Sequence, residues 1–241
     1  MEYDFANILF AGPCNRFCPF CIGKQVADQH NVNNLNLYPL ANWSQFIEKV
    51  NKYNIKEIIF TGLTTDPHLY KYEKELIQDL RRSVSNLKIS IHTNGVLSLQ
   101  KIHTFNLYDR ATISLPSFDS QIYNLLMGST HVPNLEKLLA ESKIPIKISC
   151  VVNEYNVHDI ENFLNQLQKL GIKRVAIRQL YGDKRKWPIL KGYTPIRYYR
   201  KNPVYDIGGL EVTYWNFDET NSNSINLFAD GTIHESYLIA K

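Results

Sequence analysis

The sequence lacks any apolar run of the roughly 18 residues that a membrane-spanning helix needs. Its start also lacks the basic region and long apolar core of a secretory signal, because Glu2 and Asp4 precede only a short apolar run. Lys and Arg total 27 against 23 for Asp and Glu, and a formal charge of +4 does not by itself indicate a nucleic-acid partner. We therefore expect a cytoplasmic protein without a membrane partner, and nucleic acid is not its expected ligand.

Cysteine is also scarce, with four in 241 residues. Cys14, Cys18 and Cys21 lie within eight residues of one another, so only Cys150 remains as a distant partner. This is a poor disulfide framework. Closely spaced thiols in a reducing compartment are more often metal ligands or redox groups.

The length of 241 residues suits a single domain. Apolar, β-branched runs alternate with helical stretches along the first three quarters of the chain. The predicted strands are Ala6–Phe10, Glu57–Thr61, Leu87–Thr93, Ala111–Leu115, Ile146–Val152 and Arg174–Gln179. The predicted helices are Trp43–Tyr53, Tyr70–Ser83, Ser120–Leu126, Asn134–Glu141 and His158–Leu170. This α/β pattern favours a parallel sheet covered by helices, either a curled partial barrel or a doubly wound open sheet.

From Tyr181 the rhythm stops, and prolines and glycines interrupt a segment rich in Tyr and Trp. Short strands are predicted at Glu211–Asn216, Ser224–Phe228 and Ile233–Tyr237, the last two joined by an Asp-Gly turn into a terminal hairpin. We interpret residues 1–180 as the core and residues 181–241 as a β-rich extension of the same domain that caps the mouth of the barrel. The basic, aromatic run Arg197–Lys201 is compatible with phosphate or base contacts, but such runs are more often solvated faces.

The cysteine triad directly follows the first predicted strand, at the edge where βα barrels carry their active sites. Zinc would require a fourth ligand, for which His30 and Cys150 are the nearest candidates. Three thiolates instead suit a [4Fe–4S] cluster with one open iron, which the amine and carboxylate of S-adenosylmethionine can chelate. A structural zinc site or a redox-sensing thiol group is the alternative.

The C-x3-C-x2-C spacing, with an aromatic residue before the last cysteine, resembles the signature of the radical S-adenosylmethionine superfamily. The similarity extends over about residues 5–180, and the general ordering resembles the branch with the GTP-cyclising enzyme of molybdenum cofactor synthesis and the peptide-maturing enzymes. It implies a partial (β/α)6 barrel of the TIM type, a [4Fe–4S] cluster held by the triad, and reductive cleavage of S-adenosylmethionine to a 5′-deoxyadenosyl radical. Relatives with auxiliary clusters carry several further cysteines after the barrel. This chain has no cysteine after Cys150, so auxiliary clusters are not expected.

The same resemblance implies contacts to the nucleotide cofactor. Phe20 is expected near the adenine. The stretch from Gly62 through Thr64 to Asp66 stands where relatives have a Gly-Gly-Glu-Pro turn that receives the methionyl amine, although the second glycine is absent here. A carboxylate suits an ammonium group, but Asp66 is equally suited to cap the following helix.

Further candidates end the later strands. Asn94 lies in a Thr-Asn-Gly element and is expected either to contact the cofactor or to form the turn. Ser114 is suited to bind the ribose hydroxyls, and Asn153 is suited to contact the adenosyl group. Arg178 is suited to bind the methionyl carboxylate or the substrate. His92 is a candidate proton donor or substrate ligand, although most histidines are merely hydrogen-bonded structural residues.

The expected reaction is hydrogen-atom abstraction from a bound substrate, most simply a small metabolite, with electrons from a donor such as flavodoxin or ferredoxin. Modification of RNA or of a peptide is a second candidate enzymatic function. A zinc-binding interaction module is the non-enzymatic alternative.

Overall fold

The computed structural model describes residues 2–220 and 222–236, which form six α-helices around one sheet of eleven strands. The first six strands are β1 (Phe5–Phe10), β2 (Glu57–Gly62), β3 (Lys88–Thr93), β4 (Arg110–Ser114), β5 (Ile146–Val152) and β6 (Arg174–Gln179). The helices are α1 (Trp43–Lys52), α2 (Glu73–Ser83), α3 (Ile102–Phe105), α4 (Ser120–Met127), α5 (Leu135–Glu141) and α6 (Ile160–Lys169).

The six strands lie side by side in chain order, and each is parallel to the next. A doubly wound sheet would reverse its strand order at a switch point, so this order excludes that alternative. The fold is the predicted partial (β/α)6 barrel. Among the described residues the sheet does not close, because its edge strands do not pair with each other.

Alternation along the strands separates the two faces of the sheet. Ile58, Ile89, Ile113, Ile148 and Ile177 are almost completely buried within the main hydrophobic core. The residues between them face the other way and are largely polar, including Ser90, His92, Thr112, Lys147 and Ser149. The inner face of the curved sheet is therefore available for polar ligands.

Residues after the sixth strand extend the sheet at both edges. The added strands are β7 (Arg197–Tyr199), β8 (Asn202–Ile207), β9 (Leu210–Trp215), β10 (Ser224–Leu227) and β11 (Ile233–His234). Strand β9 joins β6 in parallel and forms an antiparallel hairpin with β8, whereas β10 joins β1 in parallel. The terminal hairpin of β10 and β11 confirms the predicted turn; Tyr237, included in that prediction, lies outside the described residues. The division at residue 180 stays a prediction.

Some boundaries differ from the predicted ones. Helix α2 begins at Glu73 and not at Tyr70, because Asp66 caps a short 3-10 turn at Pro67–Leu69 that comes first. The run Arg197–Lys201 is exposed apart from the half-buried Arg200, as predicted for a solvated face, and two of its arginines form ion pairs. Arg197 pairs with Glu211 and Arg200 with Asp4. No helix in the described part of the chain is long and apolar enough to cross a membrane.

Candidate active site

The three clustered cysteines lie on the loop that follows β1. All three thiols are free and partly exposed. The loop is held by the end of α4, where the Phe17 N–H donates to the Met127 carbonyl at 3.1 Å. The buried Arg16 adds a bond to the His131 carbonyl at 2.7 Å and one to the Tyr123 hydroxyl at 3.3 Å. The polypeptide around the thiols is therefore fixed by neighbouring elements.

The surroundings of Cys14 and Cys18 disfavour the thiolate forms of these two residues. Burial, together with the neighbouring thiols, raises the pKa of Cys18 to about 11. Burial also raises the pKa of Cys14. A bound metal displaces thiol protons, so loading of such a site releases protons and is favoured by higher pH.

The loop after β2 wraps over the start of the cysteine loop. The Thr64 hydroxyl donates to Asn31 Oδ1 at 2.5 Å and accepts from the Gly12 N–H at 3.4 Å, and the Thr65 hydroxyl donates to the Pro13 carbonyl at 2.5 Å. At Gly62 a Cβ would lie 1.6 Å from the carbonyl oxygen of Thr65. This turn therefore requires glycine for a reason of packing, and the Thr64 side chain is engaged in holding the loop.

Asp66 is buried, and its carboxylate joins the loops after β2 and β3. It accepts from the backbone N–H of His68 at 3.0 Å and of Asn94 at 2.7 Å, and from the Thr93 hydroxyl at 2.8 Å. The capping interpretation of Asp66 is thus confirmed by the first of these bonds. A cofactor contact for Asp66 stays a prediction.

A line of hydrogen bonds continues from Asp66 to the first cysteine. Asn94 Nδ2 donates to Asn15 Oδ1 at 2.7 Å, and the same oxygen lies 3.8 Å from Cys14 Sγ. The Asn94 side chain also accepts from the Val96 N–H at 3.0 Å. Asn15 Nδ2 is buried without a hydrogen-bond partner in the described structure. This buried amide N–H group beside a thiol is an unsatisfied hydrogen-bond donor, and a bound acceptor would satisfy it.

A second unsatisfied hydrogen-bond donor lies at the end of β5. Asn153 is completely buried, its Oδ1 accepts from the Tyr155 N–H at 2.9 Å, and its Nδ2 has no partner among the described residues. The Phe20 ring lies 6.4 Å from that of Tyr155. The predicted residues Phe20 and Asn153 are therefore brought to one region, next to the loop of the cysteines.

Ser114 on β4 and Arg178 on β6 lie on the inner face, on the two strands that flank β5. Ser114 ends β4 and is paired in register with Ser149, whose hydroxyl lies 3.5 Å from Arg178 Nη1. The Arg178 guanidinium stacks over the Phe217 ring at 4.5 Å. The structure thus places the cation on the barrel interior, held by stacking.

His92 lies deeper in the barrel than the residues at the strand ends. Burial and the charges of Lys147, Arg178 and Arg110 lower its pKa to about 3. Its imidazole is therefore neutral near pH 7. Of the two predicted roles, hydrogen bonding to a substrate fits a neutral ring, whereas donation from an imidazolium does not.

The donor set fits an iron–sulfur cluster better than a single ion. No three His, Cys, Asp or Glu side chains within residues 2–220 and 222–236 converge as the ligands of one metal ion do. A cubane does not need that convergence, because each thiolate binds a different iron. Both candidate fourth ligands are otherwise engaged: His30 Nδ1 contacts Asp230 at 2.8 Å, and Cys150 is a buried core residue.

Sequence reasoning missed two residues of this region. Asn15 lies inside the cysteine motif, and its position between thiol ligands is a usable signal. Lys147 interrupts the apolar alternation of β5, which marks it as facing the barrel interior.

A partial parallel barrel with three cysteines on the loop after its first strand defines a class of barrel enzyme. Residues 8–167 match the Radical SAM superfamily. The chain therefore belongs to the radical SAM superfamily of enzymes.

Similar proteins agree with this assignment. A probable GTP 3′,8-cyclase of Methanococcus aeolicus is 27% identical over 71% of this chain and 58% of its own length. Another, from Saccharolobus solfataricus, is 22% identical over 73% of this chain and 56% of its own. The chain thus spans little more than half the length of these curated relatives.

Solved structures share the fold. SuiB of Streptococcus suis bound to its precursor peptide SuiA has a TM-score of 0.59 at 18% identity, over 75% of this chain and 40% of SuiB. The enzyme anSMEcpe with bound AdoMet has a TM-score of 0.53 at 20% identity, over 76% of this chain and 55% of that one.

Proposed function

We propose that this protein binds a [4Fe–4S] cluster and S-adenosylmethionine and abstracts a hydrogen atom from a small metabolite. The observation that carries the proposal is the free three-cysteine loop at the carboxyl edge of a parallel barrel. When bound, the reduced cluster and S-adenosylmethionine supply a 5′-deoxyadenosyl radical. Electrons come from a donor such as flavodoxin or ferredoxin, and the free thiols suit a cytoplasmic setting.

The residues of the chain have separate roles in this proposal. Cys14, Cys18 and Cys21 bind three irons. The buried Nδ2 of Asn15, which has no partner in the described structure, donates to the cluster or its ligand. Hydrogen bonds to neighbouring elements hold the loops that carry these groups, which limits the ordering that cofactor binding must impose.

The cofactor lies along the strand ends. Asn153 Nδ2 and the Phe20 ring contact the adenosyl group, Ser114 the ribose, and Arg178 the methionyl carboxylate or the substrate. Gly62, Thr64, Asp66 and Asn94 shape the wall at the amine end. The buried Nδ2 of Asn153 supports its role, because a nucleotide acceptor would satisfy it.

The choice of a small metabolite follows from the inner face of the barrel, which has polar and charged side chains in position for a polar substrate. We also propose that residues 181–241 cap the barrel within the same domain as residues 1–180. The names of the relatives include both a nucleotide cyclase and a peptide-bound enzyme, so a peptide substrate is the second candidate.

The test is anaerobic reconstitution with iron and sulfide, followed by dithionite and S-adenosylmethionine. We expect about four irons per chain and formation of 5′-deoxyadenosine by the wild type. The Cys18→Ala variant should lose both, and Cys150→Ala, which changes a core thiol, should keep the iron. Zinc without iron or labile sulfide would support the non-enzymatic alternative and contradict the proposal.

A further inference from the structure

The indole N–H of Trp187 is a buried hydrogen-bond donor with no acceptor in the described part of the chain. Within residues 2–220 and 222–236, three buried side-chain nitrogen atoms have no partner, and they belong to Asn15, Asn153 and Trp187. Asn15 lies on the cysteine loop after β1, Asn153 directly follows β5, and Trp187 follows β6. These parallel strands end at one edge of the sheet, so ligands bound there would account for all three donors.

The loop that carries Trp187 is tied to the ends of β5 and β6. Gln179, the last residue of β6, donates through Nε2 to the carbonyls of Asp183 and Arg185. Arg185 Nη2 bonds to Glu154 Oε2 at 2.8 Å, and Glu154 lies two residues after the end of β5. The loop after β6 is therefore fastened to the carboxyl ends of two strands, at the edge of the sheet that carries the cysteines.

The indole ring is held by its neighbours. The Arg185 guanidinium lies 4.7 Å from the ring centroid of Trp187, and Trp187 packs against the main hydrophobic core. Asp183 in turn accepts from Arg185 Nε at 2.9 Å. Pro188 follows directly and disfavours a helical backbone at Trp187. These contacts hold the orientation of the N–H, so little further ordering is needed when a ligand accepts a hydrogen bond from it.

The neighbouring groups indicate which ligand would satisfy the indole. The buried Asn153 Nδ2 is an unsatisfied donor at the end of β5, and the rings of Phe20 and Tyr155 lie 6.4 Å apart in the same region. An adenosyl group combines a flat aromatic face with several acceptor atoms, which suits aromatic rings beside two N–H donors. Arg185 is already paired with two carboxylates, so this loop is suited to an uncharged part of a ligand.

We propose that the indole N–H of Trp187 donates a hydrogen bond to an acceptor atom of the adenosyl group of S-adenosylmethionine. Asn153 Nδ2 donates to the same group from the end of β5. The inference rests on the proposed function, because it concerns the cofactor named there. The bond links cofactor binding to the loop after β6, and removal of the N–H weakens binding of the adenosyl group.

The test replaces Trp187 by 3-benzothienylalanine, which has the shape of tryptophan with sulfur in place of the N–H. Binding of S-adenosylmethionine to the anaerobically reconstituted protein is measured by calorimetry. Loss of one hydrogen bond should weaken this binding by about threefold to tenfold. The second probe, 5′-deoxyadenosine, contains the adenosyl group without the methionyl part and should lose affinity by the same factor. Trp187→Phe, which also lacks the N–H, should weaken the binding of both probes at least as much.

Stability separates this role from a structural one. The Trp187 N–H has no partner to lose in the described structure, so the isosteric replacement should leave the free energy of unfolding of the full-length, cofactor-free protein in urea unchanged. The matched control is the same replacement at Trp43, whose Nε1 donates to Asp79 Oδ2 at 2.7 Å. The Trp43 variant should be less stable than the wild type and should bind S-adenosylmethionine with the same affinity.

Equal affinities of the Trp187 variant and the wild type for S-adenosylmethionine would overturn the inference, and so would a loss of affinity that 5′-deoxyadenosine does not share. A loss of stability as large as that of the Trp43 variant would also overturn it, because the N–H would then bind an internal acceptor or a structural water. In these cases cleavage of S-adenosylmethionine by the wild type leaves the proposed function intact. Failure of the reconstituted wild type to bind S-adenosylmethionine would contradict the proposed function and the inference with it.

Discussion

The imidazole of His92 has a strongly lowered pKa. Its neighbours Lys147, Arg178 and Arg110 are cationic, and burial adds a further penalty for a charged ring. A histidine in this position contributes a neutral donor and acceptor to the barrel interior. The chemistry it can support is therefore orientation of a polar substrate group.

This environment gives a pH prediction. The pKa of His92 is about 3 in the folded protein against 6.5 for the ordinary value. Between these values the unfolded chain binds a proton that the folded chain does not, so the free energy of unfolding falls as the pH drops below 6.5. At pH 5 the loss is about 2 kcal/mol. Urea unfolding of the cluster-free protein at pH 7.5 and pH 5 should reveal this loss.

The control for this prediction is His92→Gln, which keeps a polar side chain but cannot bind the proton. Its free energy of unfolding should fall less between the two pH values, by about the 2 kcal/mol assigned to His92. An equal decrease in both proteins would mean that His92 is not buried in its neutral form.

At the level of secondary-structure elements, the end of α4 contacts the loop that carries the cysteines. Helix α4 ends at Met127, and the next residue, Gly128, adopts the left-handed conformation with φ of 67°. A Cβ at Gly128 would lie 2.8 Å from the backbone oxygen of Phe17, the residue before Cys18. Glycine here allows the helix end to approach the loop that carries the thiols.

We expect Gly128→Ala to lower the free energy of unfolding by more than the roughly 1 to 2 kcal/mol of left-handed strain, because the loop must also move. The displaced Cys18 should reduce the iron bound on reconstitution. Gly171→Ala is the matched control: its φ is 76°, but nothing lies within 4 Å of the added Cβ. The free energy of unfolding of this variant should fall by the strain energy alone, and the variant should bind iron normally. Equal iron contents in the two variants would contradict a bracing role for α4.

The sequence predicted the elements better than it predicted the contacts between them. The bounds of β5 and β6 were predicted to the residue, because their apolar runs are clearly delimited. The start of α2 was not, since Asp66 ends the preceding loop with a 3-10 turn that periodicity does not reveal. The cysteine motif was visible from spacing alone. The hydrogen bond from Asn94 to Asn15 depends on how two loops meet, and no local pattern contains that information.

For the whole molecule, the extension widens the open sheet at both edges. Strands β9 and β10 cover β6 and β1, which would otherwise be sheet edges. The turn between β7 and β8 at one edge of the sheet also reaches the start of β1 through side chains, where Arg200 pairs with Asp4 at 3.3 Å and lies over the Phe5 ring. An exposed edge is a template for unwanted pairing, so covering both edges protects the core strands.

This arrangement predicts that residues 1–180 do not fold independently. Ending the chain after Leu180 removes Leu210, Val212, Ile225 and Leu227, each no more than 1% exposed. Their burial contributes about 6 kcal/mol or more, comparable with the whole stability of a typical domain. We expect the shortened protein to bind a hydrophobic dye and to unfold without a cooperative urea transition. A chain ended after Ser236 retains every described strand and is the control, which should unfold cooperatively. Cooperative unfolding of the 180-residue protein would mean that the extension is a separate addition, since the parallel barrel would then be stable with both edges uncovered.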